Sequence, residues 1–84
     1  MTLKDKLAWV VERTSELSGV HKYCWPEPAQ WKRIFEKEEV KKFNSLYDEL
    51  DLNNLHEGLV PNNNTILLIN LLYNKLKQIE DSNV

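Results

Sequence analysis

Cysteine, glycine and proline are scarce in this 84-residue chain, which has one, two and three of them, and no Lys or Arg occurs between Lys42 and Lys75. The single thiol, Cys24, excludes an internal disulfide and fits a reducing compartment. With so few glycines there is no glycine-rich loop to cradle a phosphate. The apolar run Ile66 to Ile69 is cut by Asn70, far below the roughly 18 residues that a bilayer span requires. The opening MTLKDKLAWVVERTSEL spreads charges through its apolar residues and lacks the unbroken hydrophobic segment of a signal peptide, so a cytoplasmic location is expected. Glycine, alanine and proline are sparse while Lys outnumbers Arg and Asn is plentiful. AT-rich codons produce that pattern, which points to a low-GC bacterium or its phage.

What is present argues for a folded core. The hydrophobic fraction is 42%, with three Trp, three Tyr and two Phe, against a net charge of only −2; disorder calls for the reverse balance. The length suits one domain over residues 1–84, small enough to bury only about 60–65% of its unfolded surface. Net charge near zero gives no long-range pull toward nucleic-acid phosphates or anionic lipid. The distribution is uneven: residues 1–42 carry +2 and residues 43–84 carry −4. The second half therefore offers an acidic surface on Asp48, Glu49, Asp51 and Glu57.

The hydrophobic pattern is helical throughout. Thr2 and Asp5 resemble a capping box, and Leu3, Leu7, Val10, Thr14 and Leu17 recur at helical spacing, with Val11 and Ser18 beside them. A first helix is expected from Leu3 to about Ser18, ended by Gly19 in the left-handed conformation. Trp9 falls off this stripe among Lys6, Arg13 and Glu16, where a monomer would leave much of its ring wet. The segment Val20 to Pro28 reads as an aromatic loop, and Pro28 suits the first position of a second helix. That helix carries Trp31, Ile34 and Phe35 on one face; a third carries Val40, Phe43, Tyr47 and Leu50 on another. The two faces do not align, so a break is expected within Glu36 to Glu39; one straight helix with two working faces is the alternative. Leu52, Leu55 and Leu59 suggest one apolar turn ending at Gly58, and one of Asn62 to Asn64 is expected to cap a last helix reaching about Asp81. Its stretch TILLINLLYNKL is apolar in nearly every direction, as a buried central element requires; a strand there is the lesser alternative. The expected fold is all-α, a compact bundle of four to five short helices. The C-terminal helix (about 64–81) is central, and the first helix packs antiparallel or crossed against it.

Few residues invite chemistry. His21 and Cys24 with His56 supply three potential metal ligands, but a structural zinc site wants four, usually in two close pairs. Cys24 with either histidine and Asp51 could be drawn as a triad, which only spatial convergence could support. Glu38 and Lys42 form a helix-surface pair. The last helix is too apolar at its start to read a DNA groove, and the bases Lys32, Arg33, Lys37, Lys41 and Lys42 are interleaved with Glu36, Glu38 and Glu39. Asn63-Asn64-Thr65 matches a glycosylation sequon by coincidence of an Asn-rich loop. No catalytic residue, metal or cofactor is expected.

The aromatics are the remaining signal. Trp and Tyr bury much area with few rotors and keep a polar atom to satisfy, which enriches them in interface hot spots. The expected function is therefore a non-enzymatic protein-binding module, a small regulator or inhibitor that occludes a partner protein. Trp9, Tyr23, Trp25 and Trp31 are its candidate anchors, and Asp48 and Asp51 face a basic patch. Two other readings remain: a homodimer through the C-terminal helix, and a nucleic-acid binder using Lys32 to Lys42.

Overall fold

The computed structural model describes residues 2–23 and 25–82, the side chain of Leu52 excepted. Five helices follow one another: α1 (Leu3–Ser18), α2 (Pro28–Ile34), α3 (Lys37–Tyr47), α4 (Leu52–His56) and α5 (Asn63–Ser82), with no strand among the described residues. Each end has a local chemical cause. Thr2 and Asp5 form the reciprocal capping box: Asp5 N–H donates to Thr2 Oγ1 at 3.1 Å and Thr2 N–H to Asp5 Oδ2 at 3.3 Å. Gly19 closes α1 at φ 71°, its N–H donating to Ser15 O. Pro28 opens α2 where its missing N–H leaves nothing unsatisfied.

The break between α2 and α3 falls at Phe35 and Glu36, both extended, so it begins one residue before the charged run and takes in its first residue. Glu38 and Glu39 then occupy the first turn of α3, where the helix dipole favours negative charge. At the end of α4, Leu59 N–H donates to Asn54 O at 2.8 Å and Gly58 N–H to Leu55 O at 3.2 Å. With Gly58 at φ 81°, that is the Schellman pattern, and only glycine adopts it without strain. Of Asn62 to Asn64, Asn62 is the cap. Its Oδ1 accepts from Thr65 N–H at 2.9 Å and its carbonyl from Ile66 N–H at 3.2 Å.

The helices close into a ring in which α1 packs on α5 and α2, and α3 packs on α2 and α5. Trp31, on α2, fills the middle. It is 0% exposed and shares a cluster with Val10, Phe43, Leu68, Leu72 and Leu76. A second cluster, Leu7, Val11, Leu55 and Ile69, brings α4 onto the α1–α5 pair. The Cα radius of gyration is 12.1 Å, close to the ~12 Å of a folded chain this long.

Four expectations about packing change. Lys6 Nζ donates to Asn70, Trp9 meets Tyr73, and Arg13 lies near Glu80. Residue numbers rise together along the contact, so α1 and α5 run parallel rather than antiparallel. The intervening α2 and α3 carry the chain back before α5 begins. Nor is α5 buried all round. Thr65, Leu68, Ile69, Leu72 and Leu76 form its buried stripe, Ile66, Leu71 and Tyr73 are partly covered, and Leu67 is 46% exposed. Leu17 likewise drops off the buried α1 stripe: it is 46% exposed and lines an open hollow with Leu76, Ile79 and Glu80 of α5. Leu59 lies beyond the Schellman turn and faces water rather than completing an apolar turn with Leu55.

Candidate functional site

The 48–65 segment is held by side-chain hydrogen bonds to an unusual extent. Thr65 Oγ1 is fully buried; it donates to Asn62 Oδ1 at 2.7 Å and accepts Asp51 N–H at 2.7 Å. Asn62 Nδ2 reaches Glu49 O at 2.7 Å, Asn64 donates to the Glu49 carboxylate, and Asn54 donates to Asp51 Oδ2 at 2.6 Å. The start of α5 thus fixes the turn after α3 and the approach to α4. Such a segment displays side chains in set positions, which lowers the ordering cost of binding.

Beside it lies an open groove of about 910 Å³, lined by Lys4, Leu7, Ala8, Val11, Glu12, His21, Lys22, Tyr23 and His56. Its floor follows from helix geometry: Lys4, Leu7, Ala8, Val11 and Glu12 fall at i, i+3, i+4, i+7 and i+8, one continuous face of α1. The loop after α1 forms the wall. Lys22 Nζ pairs with Glu12 at 2.8 Å, and this hydrogen bond, with the lysine charge behind it, holds the Glu12 carboxyl below its usual range. The Tyr23 ring meets His21 edge-on at 5.9 Å and is 47% exposed. Opposite, the His56 ring stacks on Trp25 at 6.3 Å and 30°.

Trp25 itself lines a smaller slot of about 260 Å³ with Tyr47, Leu50, Asp51 and Asn53, while His56 lines the groove. The Trp25–His56 stack is therefore a ridge with the groove on one side and the slot on the other. Tyr47 is set by Trp31 behind it, ring centroids 5.5 Å apart, and its hydroxyl donates to Glu27 Oε2 at 2.9 Å. Burial first, and the Glu27 hydrogen bond second, push the Tyr47 hydroxyl above the ordinary tyrosine range.

The structure divides the sequence candidates. Tyr23, Trp25 and Asp51 come together on one face. Asp48 stands exposed in the turn after α3, on the same segment as Asp51. Trp31 is withdrawn as an anchor: it is wholly buried, its Nε1–H satisfied by Asn44 Oδ1 at 2.9 Å, so it offers a partner no area. Trp9 lies on another face, less wet than its neighbours in sequence suggest. Tyr73 meets its ring at 5.1 Å, and Lys77 and Arg13 lie over it at 4.9 and 5.5 Å. Tyr47, which sequence periodicity assigns to core, is a slot wall, and His56 buttresses Trp25. Ala8 and Asn53 carried no sequence signal at all.

Cys24, invoked for metal binding and for a triad, lies outside the described residues. Among the described residues, no three His, Cys, Asp or Glu side chains gather to hold a metal ion, and no helix is long and apolar enough to cross a membrane. Lys32, Arg33, Lys37, Lys41 and Lys42 are exposed on α2 and α3, with Glu36 and Glu38 exposed between them and Glu39 paired with Lys75 at 3.0 Å. The fold and this face define a small all-α bundle with an apolar groove beside an aromatic, acidic slot. Comparison of the chain with protein-family models, curated proteins and solved structures finds no match to any of them.

Proposed function

We propose that this protein is a non-enzymatic binding module that occludes a surface on a partner protein, with the groove over α1 and its Trp25–His56 ridge as the docking face. One observation carries the reading. A groove of about 910 Å³ with an apolar floor stands open between rings that the fold has already positioned. Aromatic side chains fixed by neighbours lose little entropy when a partner covers them, which is what makes such residues anchors. The groove carries Lys4 and Lys22 against Glu12, whereas the adjoining slot is lined by Asp51 and no cation, so a partner segment with apolar side chains for the groove and a basic one for the slot fits this face best. A small regulator or inhibitor, encoded by a low-GC bacterium or its phage, would work in this way.

The test is affinity capture from the native host, identification of the partner by mass spectrometry, and calorimetric titration of the purified pair. Ala8→Arg fills the groove from an exposed helical position with a good helix former. It and Trp25→Ala are expected to weaken binding about tenfold or more, while Trp9→Ala leaves it unchanged. Equal affinity for wild type, Ala8→Arg and Trp25→Ala, each with intact helical circular dichroism, would remove this face from the proposal.

A further inference from the structure

The slot on the far side of the ridge has a more specific chemistry than the groove. Two of its walls are aromatic, Trp25 and Tyr47, and each is held in place from outside the slot: Trp25 by His56 at 6.3 Å, Tyr47 by Trp31 at 5.5 Å. Leu50 lies between them in the lining. The one charge in the lining is the Asp51 carboxylate. Its Oδ2 accepts from Asn54 at 2.6 Å, and the backbone beneath it is tied to Thr65 at 2.7 Å. The Glu27 carboxylate adds a second negative charge beside the Tyr47 hydroxyl. The lining contains no cation.

Each component selects the same ligand. The faces of Trp and Tyr attract a cation held against them, more strongly once water is excluded. The carboxylate supplies a charge-assisted hydrogen bond. An apolar side chain of equal size would desolvate Asp51 without pairing it, and an anion would meet the Asp51 carboxylate. Resting on the docking face proposed above, we infer that the Trp25–Tyr47 slot takes one cationic side chain, lysine or arginine, from the partner protein. The rings flank its aliphatic stem and Asp51 pairs its charge. Volume agrees, since about 260 Å³ holds one long side chain and not a helix.

The experiment needs no partner. Uniformly labelled protein is titrated with N-acetyl-lysine methylamide, N-acetyl-arginine methylamide and the neutral N-acetyl-norleucine methylamide, following backbone amides and indole N–H groups by NMR. The two cations are expected to shift the Trp25 indole and the Asp51 and Asn53 amides, saturably and less as salt is raised. Asp51→Asn is expected to weaken them about tenfold, while norleucine gives no saturable shift. Norleucine shifts equal to those of lysine, shifts centred on another face, or cation binding that salt leaves unchanged would each overturn the assignment. The salt series uses the wild-type protein, so it tests the charge pairing even if Asp51→Asn fails to fold. A silent slot alongside a partner sensitive to Ala8→Arg overturns the slot alone. A responsive slot alongside a partner indifferent to Ala8→Arg and Trp25→Ala overturns the docking face alone.

Discussion

Trp31 and Trp25 stand six residues apart in sequence and serve opposite ends. Around Trp31 every demand is met: the ring is enclosed by α1, α3 and α5, edge-on to Phe43 at 5.9 Å and Tyr47 at 5.5 Å, and its indole N–H has Asn44. Around Trp25 the ring is only partly covered: one side packs on the Leu7, Val11, Leu55 and Ile69 cluster, while the rest stacks on an exposed histidine and lines an open slot. A closed aromatic region converts its area into stability, whereas an open one keeps that area for a second molecule. The two regions meet at Tyr47, whose ring packs on Trp31 on one side and lines the slot on the other.

The sharpest way to break this contrast is to truncate both tryptophans. Trp31→Ala empties the centre of the ring and is expected to cost about 3–5 kcal/mol. A chain this size has about 4–13 kcal/mol in all, so a large share of its stability should be lost. Trp25→Ala is expected to cost about 1 kcal/mol, as for a partly exposed side chain. Urea denaturation followed by circular dichroism measures both; equal losses would show that the Trp25 face is core after all.

Next in size is the polar tie that holds the slot. Thr65→Val keeps the shape of a fully buried side chain but removes the hydroxyl serving both Asn62 and Asp51. Leaving the Asp51 N–H without a partner is expected to cost about 1–3 kcal/mol. Asn62→Ala removes the α5 cap and the bond to Glu49 O, with about 1 kcal/mol lost. Both show as lowered urea midpoints at unchanged slope. If the 48–65 tie is a scaffold for the slot, Thr65→Val also weakens the lysine probe, whereas a purely structural tie would leave the remaining folded protein binding as before.

These ties show which parts of the fold were legible in sequence. Thr2 with Asp5, Gly19, Pro28 and Gly58 act within about five residues of themselves, and each reads correctly from local chemistry; the α5 cap reads only as one of Asn62 to Asn64, because Asn62 is selected in part by its bond to Glu49 O, far off in sequence. The break before α3 reads to within a residue for the same reason. The direction of α1 against α5 does not, because it depends on how α2 and α3 return the chain, and periodicity is blind to that. Leu67 and Leu71 are equally apolar, yet one is exposed and the other packs on the core. Which face of a helix meets a neighbour is decided by the neighbour. The proposed docking face was half legible: aromatic density in Val20 to Pro28 pointed to Tyr23 and Trp25 but could not separate Trp25 from Trp31. Tyr47 was hidden because a residue serving the core on one side carries the core's periodicity.

A smaller effect follows from that double role of Tyr47. Its hydroxyl pKa is raised by burial and by Glu27, so the folded state favours the neutral phenol. The associated stability is fully present below the ordinary tyrosine value of about 10 and is lost as pH rises through the raised value. Ultraviolet titration of tyrosinate should show a late component that Tyr47→Phe removes. Tyr47→Phe should also flatten the alkaline loss of stability, because the phenol and not the ring is what titrates. A late component that survives the substitution would assign the burial to another tyrosine and loosen the link between the two regions.

The smallest expected effect tests whether the molecule has another open face. Leu17 and Leu67 are each 46% exposed, and a dimer through α5 would use Leu67. Because α1 and α5 run parallel, Leu17 near the end of α1 and Leu67 near the start of α5 lie at opposite ends of the helix pair. They therefore make two isolated points rather than one patch. Leu71, the next residue along that side of α5, packs against the core. Leu67→Lys is thus expected to change stability by no more than about 0.5 kcal/mol, with a monomeric mass by light scattering before and after. A dimer that Leu67→Lys dissolves would make α5 the principal interface and leave the groove and slot as minor surface relief. A monomer in both cases leaves the face around Trp25 as the one where the fold holds aromatic rings open to water.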